Sequence, residues 1–150
     1  MKGFIDTIEL TLDRFKGGKV FFDNLDSNLT KTIYIDLLID TFHLIKKYNN
    51  ISLSGNFGSF FWIYYHQYFD NIVLFNGSLG GQKPLIKKLK GRIDNESFIF
   101  IDDSIYSGIT LRTVEQFLKM NNSQITNTYV LYDGSLKKED NIYSLYRYYN

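Results

Sequence analysis

The most constraining feature of this sequence is a run of four apolar residues, 98–101, that ends in two adjacent aspartates, Asp102 and Asp103. Such a run is typical of a strand that is buried on both faces, as in a parallel sheet. Small hydroxyl residues and a glycine follow within residues 104–110, and an amphipathic helical pattern begins there. The segment therefore predicts a strand, an acidic loop and a helix in direct succession, which is the repeating unit of α/β sheets.

Apolar runs and helical patterns alternate along the rest of the chain. Strands are predicted at residues 20–22, 51–53, 72–75 and 128–132. Helices are predicted at about 29–47, at 85–89 and through Leu111, Val114 and Leu118. A further helix is predicted to follow the glycine-bearing turn at 54–59 and to run to about residue 69. Gly17-Gly18 indicates a turn, residues 5–15 fit a strand or a helix, and the tyrosine-rich segment 141–150 has no clear period. This order predicts an α/β fold with a central, mainly parallel sheet flanked by helices.

Length and composition narrow the classes of function. A chain of 150 residues is expected to form a single domain over residues 1–150. The absence of cysteine excludes disulfides and thiolate zinc sites, and two histidines leave few ligands for a histidine metal site. The formal net charge of +1 gives no strong attraction for nucleic acid or anionic lipid. Because no apolar stretch reaches membrane-helix length and Lys2, Asp6 and Glu9 interrupt a signal-peptide core, we expect a cytoplasmic location without a membrane partner.

The loop after the aspartates has the composition of a phosphate site. Ser104, Ser107 and Thr110 offer hydroxyl groups, and Gly108 lets the backbone turn its amide groups inward. The helix that begins here adds unpaired N–H groups and the positive end of its dipole. Open α/β sheets bind ligands at the carboxyl ends of their strands, where two carboxylates would accept hydrogen bonds from sugar hydroxyls. The residues therefore predict a pocket for a phosphorylated sugar.

Residues 98–111, FIFIDDSIYSGITL, resemble the phosphoribosyl pyrophosphate (PRPP) motif of type I phosphoribosyltransferases: four apolar residues, two acids and a Thr/Ser-Gly-x-Thr loop. The resemblance implies a phosphoribosyltransferase-like fold with a small amino-terminal hood or hairpin. It also implies that Asp102 and Asp103 are the catalytic residues and hold the ribose 2- and 3-hydroxyls, directly or through Mg2+. The 5-phosphate would lie in the loop formed by Ser104, Ile105, Tyr106, Ser107, Gly108, Ile109 and Thr110.

Two further segments resemble the same family. Ser54, Gly55 and Asn56 stand where the family has its pyrophosphate-binding loop, and the amino-terminal half is similar to orotate phosphoribosyltransferases. The implied activity is transfer of a phosphoribosyl group between pyrophosphate and a nitrogenous base, in nucleotide synthesis or salvage. The implied ligands are PRPP or a nucleoside monophosphate, pyrophosphate and the cofactor Mg2+, and the implied assembly is a homodimer.

One departure from the family keeps other interpretations open. Residues 75–82 contain no basic residue, whereas family members usually carry one there or in the flexible loop that closes over pyrophosphate. One alternative is therefore a catalytically degenerate sensor or regulatory module that keeps a PRPP or nucleotide pocket. Another is a plain α/β domain whose acidic turn is structural. A receiver domain of a response regulator is excluded, because too few residues follow Asp103 to supply its remaining strands.

Overall fold

A computed structural model describes residues 14–23, 31–76 and 85–149 of the chain, and its main feature is one six-stranded sheet. The strands are β1 (Asn50–Ser54), β2 (Asn71–Asn76), β3 (Leu85–Lys90), β4 (Ser97–Ile105), β5 (Gln124–Asp133) and β6 (Ile142–Arg147). The helices are α1 (residues 14–23), α2 (Lys31–Ile45), α3 (Gly55–Tyr65), which continues into a 3-10 turn at His66–Tyr68, and α4 (Ile109–Met120). The predicted α/β class and flanking helices are thus confirmed.

The strand order β3-β2-β1-β4-β5-β6 places a reversal of winding at the centre of the sheet. The chain builds outward from β1 through β2 to β3, and then returns to the other side of β1 to continue with β4, β5 and β6. All neighbouring strands are parallel except β2 and β3. In open parallel sheets, ligands bind beyond the carboxyl ends of the strands at such a switch point. The fold therefore directs attention to the ends of β1 and β4.

Two apolar cores, one on each face of the sheet, explain the continuous hydrophobic runs in the strands. Ile99 and Ile101 of β4 pack on the face covered by α3, and Phe98 and Phe100 pack on the face covered by α4. All four side chains are at most 2% exposed. Full burial of such a side chain contributes roughly 1.5–3 kcal/mol, so both faces of β4 hold it at the centre of the sheet.

Helix α4 forms as the spacing of its apolar residues predicts. Leu111, Val114 and Leu118 are buried, and they recur at the i, i+3, i+7 spacing of one helical face. The helix ends where the N–H of Asn121 donates to the carbonyl of Leu118. This face anchors α4 on the sheet and fixes the position of its amino-terminal end next to β4.

The strand predicted at residues 20–22 and the turn predicted at Gly17-Gly18 are wrong, because residues 14–23 form helix α1. The two glycines allow close packing instead of a turn. A Cβ atom at Gly17 would lie 2.7 Å from the Tyr148 ring, and one at Gly18 would overlap the Tyr106 hydroxyl oxygen. The amino-terminal hood or hairpin stays a prediction, and residues 1–13 and 24–30 lie outside the described part of the chain.

The helix predicted at residues 85–89 is also wrong, because this segment is the antiparallel edge strand β3. Ile86 and Leu89 are three residues apart, which fits one face of a helix. In the strand they pack against the two opposite cores. The lysines between and beside them are exposed, as is common on an edge strand that must not pair with another chain.

The strand predicted at residues 128–132 lies within β5, but β6 follows it at the sheet edge. Rings of the two strands stack in pairs across this edge: Tyr129 on Tyr143 at 5.1 Å between centroids, and Tyr132 on Tyr146 at 5.5 Å. These cross-strand pairs stabilise a segment whose sequence has no clear period. None of the helices in the three described ranges is long and apolar enough to cross a membrane.

Candidate functional site

Strand β4 carries Asp102 and Asp103 to its carboxyl end, beside the end of β1 at the switch point. The strand runs on to Ile105, four residues beyond the apolar run that predicts it. Although the two residues are successive in the strand, both carboxylates lie close to Gly55 at the start of α3. One of them is bound to the start of α3, and the other borders the loop that leads to α4.

The Asp103 carboxylate caps the amino terminus of α3. Its Oδ1 accepts a hydrogen bond from the N–H of Phe57 at 2.7 Å, and its Oδ2 accepts one from the N–H of Asn56 at 3.0 Å. The first N–H groups of a helix have no partner within the helix, and the positive end of the dipole favours a negative charge there. Asp103 therefore joins the end of β4 to the first turn of α3.

Gly55 makes room for both carboxylates. Its φ of +70° lies in the left-handed region, which side-chain-bearing residues rarely adopt. A Cβ atom at this position would collide with Oδ2 of Asp103 and would lie 2.6 Å from Oδ1 of Asp102. The sequence pair Ser54-Gly55 thus lets the two acidic groups converge on one point of the backbone.

Asp102 is held in a desolvated position with few compensating hydrogen bonds. Its Oδ1 accepts from the N–H of Asp103 at 2.7 Å, and the Ser54 hydroxyl also hydrogen-bonds its carboxylate. Burial raises the pKa of Asp102 to about 7, and the neighbouring Asp103 charge adds to this rise against the effect of the hydrogen bonds. Burial also raises the pKa of Asp103, while its two backbone hydrogen bonds lower it.

Residues 106–108 connect β4 to α4, and the segment 104–110 predicted as the phosphate loop also includes the end of β4 and the start of α4, beside a cavity of about 240 Å³. Gly108 has a φ of +78° and precedes the first residue of α4, and the Ser107 hydroxyl accepts a hydrogen bond from the Ile109 N–H at 3.4 Å. The cavity is lined by Phe15, Phe100, Asp102, Ser104, Ile105, Tyr106, Ser107, Gly108, Ile109, Thr110 and Leu111. Its hydroxyl groups and the helix start suit a phosphate group.

Helix α1 contributes Phe15 to the wall of this cavity. The Phe15 ring packs on Tyr106 with 4.6 Å between centroids, and the Tyr132 hydroxyl donates to the Arg14 carbonyl at 2.9 Å. Gly134 gives Tyr106 space on the other side, since a Cβ there would lie 2.8 Å from the Tyr106 ring. Arg14, Phe15 and Gly134 belong to this region although no sequence pattern singles them out.

The structure brings the predicted residues together in two groups. Ser54, Gly55 and Asn56 meet the aspartate pair, and residues 104–110 surround the neighbouring cavity. Two of the loop residues differ in their surroundings, because the Ile105 side chain packs in the core while that of Ile109 is 64% exposed. The backbone of Ile105 also accepts a hydrogen bond from the Gly134 N–H.

The aspartate pair has donor atoms that suit Mg2+. Oδ1 of Asp102 and Oδ2 of Asp103 both face the space that a Gly55 side chain would fill. Mg2+ prefers oxygen ligands and is usually bound by one or two carboxylates together with waters and substrate phosphates. The described residues contain no cluster of three or more histidine, cysteine, aspartate or glutamate side chains that could hold a metal alone. These donors therefore fit a magnesium ion that arrives with a phosphorylated substrate.

We expect the stability of the ligand-free protein to fall as the pH rises toward and through 7, because Asp102 must then ionise in a desolvated place. The raised pKa means that the native state binds a proton that the unfolded chain has already released. In Asp102→Asn this loss should be reduced, by about 1.4 kcal/mol for each unit of pKa difference removed. Denaturant unfolding from pH 5 to 8 measures the free energy of unfolding in both proteins. Asp140→Asn, at an exposed aspartate, is the control. A wild type and Asp102→Asn that follow parallel pH curves would contradict the expectation.

Comparison with known proteins supports the fold described above. No protein-family model matches the sequence, and no curated protein matches it significantly. Among solved structures, a purine phosphoribosyltransferase from Pyrococcus horikoshii Ot3 superposes with a TM-score of 0.54 at 16% identity, over 79% of this chain and 85% of the other. An adenine phosphoribosyltransferase from Thermoanaerobacter pseudethanolicus gives 0.53 at 17% identity, over 78% and 79%.

An orotate phosphoribosyltransferase from Aeropyrum pernix superposes equally well, with a TM-score of 0.54 at 13% identity over 79% of this chain and 71% of the other. These enzymes act on different bases, as their names state, so the likeness does not select one base. Each of these matches covers more than three quarters of this chain. The protein therefore has the fold of the type I phosphoribosyltransferases.

Proposed function

We propose that this protein binds PRPP with Mg2+ at the end of β4 and transfers its phosphoribosyl group to a nitrogenous base. The observation that carries the proposal is the convergence of Asp102 and Asp103 at the switch point, directly beside a hydroxyl-rich loop that opens a helix. A ribose phosphate has the matching pattern, with hydroxyl donors at one end and a phosphate at the other. The fold and the site thus favour the same class of ligand.

The loop groups and the carboxylates would act by positioning and electrostatics. Ser104, Ser107 and Thr110 and the start of α4 would hold the 5-phosphate, which fixes the sugar above the aspartate pair. The carboxylates would accept hydrogen bonds from the ribose hydroxyls and stabilise positive charge that develops on the sugar. When bound, Mg2+ supplies charge neutralisation for the pyrophosphate oxygens.

In the proposed reaction the bond between ribose C1 and the pyrophosphate oxygen breaks, and its electron pair leaves with pyrophosphate. A ring nitrogen of the base donates the pair that forms the new C1–N bond. The proton that this nitrogen carries is lost to solvent or to a nearby base. In the reverse direction, a nucleoside monophosphate and pyrophosphate are the substrates.

A catalytically degenerate PRPP or nucleotide sensor is the second candidate, and a specific contact favours it. The N–H groups of Asn56 and Phe57 are in the segment that resembles a pyrophosphate loop, yet the Asp103 carboxylate already occupies both. Pyrophosphate would have to displace this carboxylate in order to use the same donors. Together with the lack of basic residues in 75–82, this arrangement favours ligand binding over turnover. A homodimer, which the resemblance also implies, would allow a second copy to supply the charge.

Pyrophosphate release distinguishes the two candidates. We expect turnover when the protein is given PRPP, Mg2+ and one base from a panel of orotate, uracil, adenine, hypoxanthine and guanine, and a loss of at least about a hundredfold in Asp102→Asn, Asp103→Asn. The Asp140→Asn variant should retain wild-type turnover. PRPP binding without release of pyrophosphate for any base would support the sensor and contradict the transferase.

A further inference from the structure

Arg14 in α1 is a buried arginine without a counterion in the described part of the chain. The residue is 8% exposed, and its Nε has no hydrogen-bond partner. The ion pairs within residues 14–23, 31–76 and 85–149 join Arg92 to Glu96 and Arg147 to Asp133. Guanidinium groups stay charged in proteins and have donors in a fixed fork, so burial without a partner is costly.

The Arg14 side chain lies next to the cavity that is lined by residues 104–110, the segment suited to phosphate. Its guanidinium carbon is 5.4 Å from the centroid of the Phe15 ring, and its charge lowers the pKa of Tyr106 against the larger raising effect of burial. Phe15 and Tyr106 are packed ring against ring, and both line that cavity. The charge is thus held at the aromatic wall of the cavity that carries the loop hydroxyls.

The position of α1 is tightly fixed, which makes the placement of this charge specific. Gly18 contacts Tyr106 so closely that no side chain fits, and the Arg14 carbonyl accepts a hydrogen bond from the buried Tyr132 hydroxyl. A surface lysine or arginine would keep its charge in water at little cost. Here the packing of α1 instead leaves Arg14 only 8% exposed, with its Nε buried, beside a site suited to phosphate.

We propose that Arg14 is a ligand for a phosphate group of the phosphorylated substrate, so that α1 is a part of the binding site. This inference rests on the proposed function and adds the cation that residues 75–82 lack. An incoming phosphate would give the buried guanidinium the partner that the described residues do not supply, and Arg–phosphate contacts are commonly bidentate and strong. The same group can belong to the 5-phosphate or to the pyrophosphate of PRPP.

The test measures binding and stability together in Arg14→Met, which keeps the length and apolar contacts of the side chain. We expect its melting temperature to equal or exceed that of the wild type, because the variant removes a buried charge that has no counterion among residues 14–23, 31–76 and 85–149. We expect its dissociation constant for PRPP with Mg2+ to rise about tenfold or more. Arg14→Lys should lose less affinity, and Lys16→Met, which removes an exposed charge from the same helix, should bind like the wild type.

Ribose 5-phosphate and pyrophosphate, titrated separately, identify the phosphate that Arg14 contacts, and loss of affinity for either supports the inference. An Arg14→Met variant that binds ribose 5-phosphate, pyrophosphate and PRPP like the wild type overturns it. A melting temperature that falls together with binding overturns it too, because Arg14 would then be structural. If the wild type binds none of the three compounds, the proposed function itself fails, which is a different result from a variant that binds normally.

Discussion

Gly55→Ala is expected to abolish Mg2+-dependent PRPP binding and to lower the free energy of unfolding by about 2 kcal/mol or more. The left-handed backbone conformation of Gly55 alone costs a side-chain-bearing residue roughly 1–2 kcal/mol. The new methyl group would also collide with the Asp103 carboxylate and approach that of Asp102, so the acidic pair has to separate. Denaturant unfolding and PRPP titration of the same preparation measure the two effects.

Gly91→Ala is the matched control for this substitution. Gly91 also has a positive φ, +69°, and its Cβ would overlap Asn71 and the Asp70 carbonyl. It follows β3 at the opposite end of the sheet from the aspartate pair. We expect a comparable loss of stability and, in the folded fraction, unchanged PRPP binding. Normal PRPP binding by Gly55→Ala would show that the two carboxylates need not converge for the ligand to bind.

Asp102→Asn, Asp103→Asn is expected to lose PRPP binding by more than about a hundredfold while the protein stays folded. The amide groups would remove both negative charges that suit Mg2+ and weaken acceptance from the ribose hydroxyls. Their effects on stability should oppose each other. Removal of the desolvated Asp102 charge is stabilising at pH 8, whereas loss of the Asp103 cap on α3 costs about 1 kcal/mol.

The single variants separate these contributions. Asp102→Asn should be more stable than the wild type at pH 8, and Asp103→Asn should be less stable, by thermal or denaturant unfolding. A double variant that has unfolded would be recognised by loss of its cooperative transition, and its binding result would then not be used. A folded double variant that binds PRPP like the wild type would contradict the role of the aspartates.

The central part of the fold and site is predictable because its determinants are local. The apolar run before Asp102 forms a strand buried on both faces, and the spacing of Leu111, Val114 and Leu118 fixes the following helix. Two acids between such elements must stand at the carboxyl end of a parallel strand. The site residues in 102–110 follow from that arrangement without knowledge of any long-range contact.

The elements that the sequence mispredicts or leaves unassigned depend on long-range packing. Gly17 and Gly18 look like a turn until the rings of Tyr106 and Tyr148 approach them, and β6 is stabilised by tyrosines that lie on β5. Residues 85–90 form a strand because they pair with β2, so the helical spacing of their apolar residues is misleading. The burial of Arg14 likewise depends on where α1 packs.

Sequence patterns also do not predict the contact between Asp103 and the start of α3. Asn56 and Phe57 are 47 and 46 residues from Asp103 in the sequence, and they meet it because β1 and β4 are neighbours in the sheet. The resemblance of the two sequence segments assigns Asp103 to the ribose hydroxyls and Gly55 to a separate loop. The structure shows that the Asp103 carboxylate caps the helix that begins at Gly55.

The most direct test of the account is calorimetric titration of PRPP with Mg2+ into the wild type and into Asp102→Asn, Asp103→Asn. We predict saturable 1:1 binding to the wild type that needs Mg2+ and is lost in the folded double variant. The Asp140→Asn control should bind like the wild type. Absence of binding to the wild type, or equal binding by the folded double variant, would contradict the proposal that the aspartate pair forms a PRPP site.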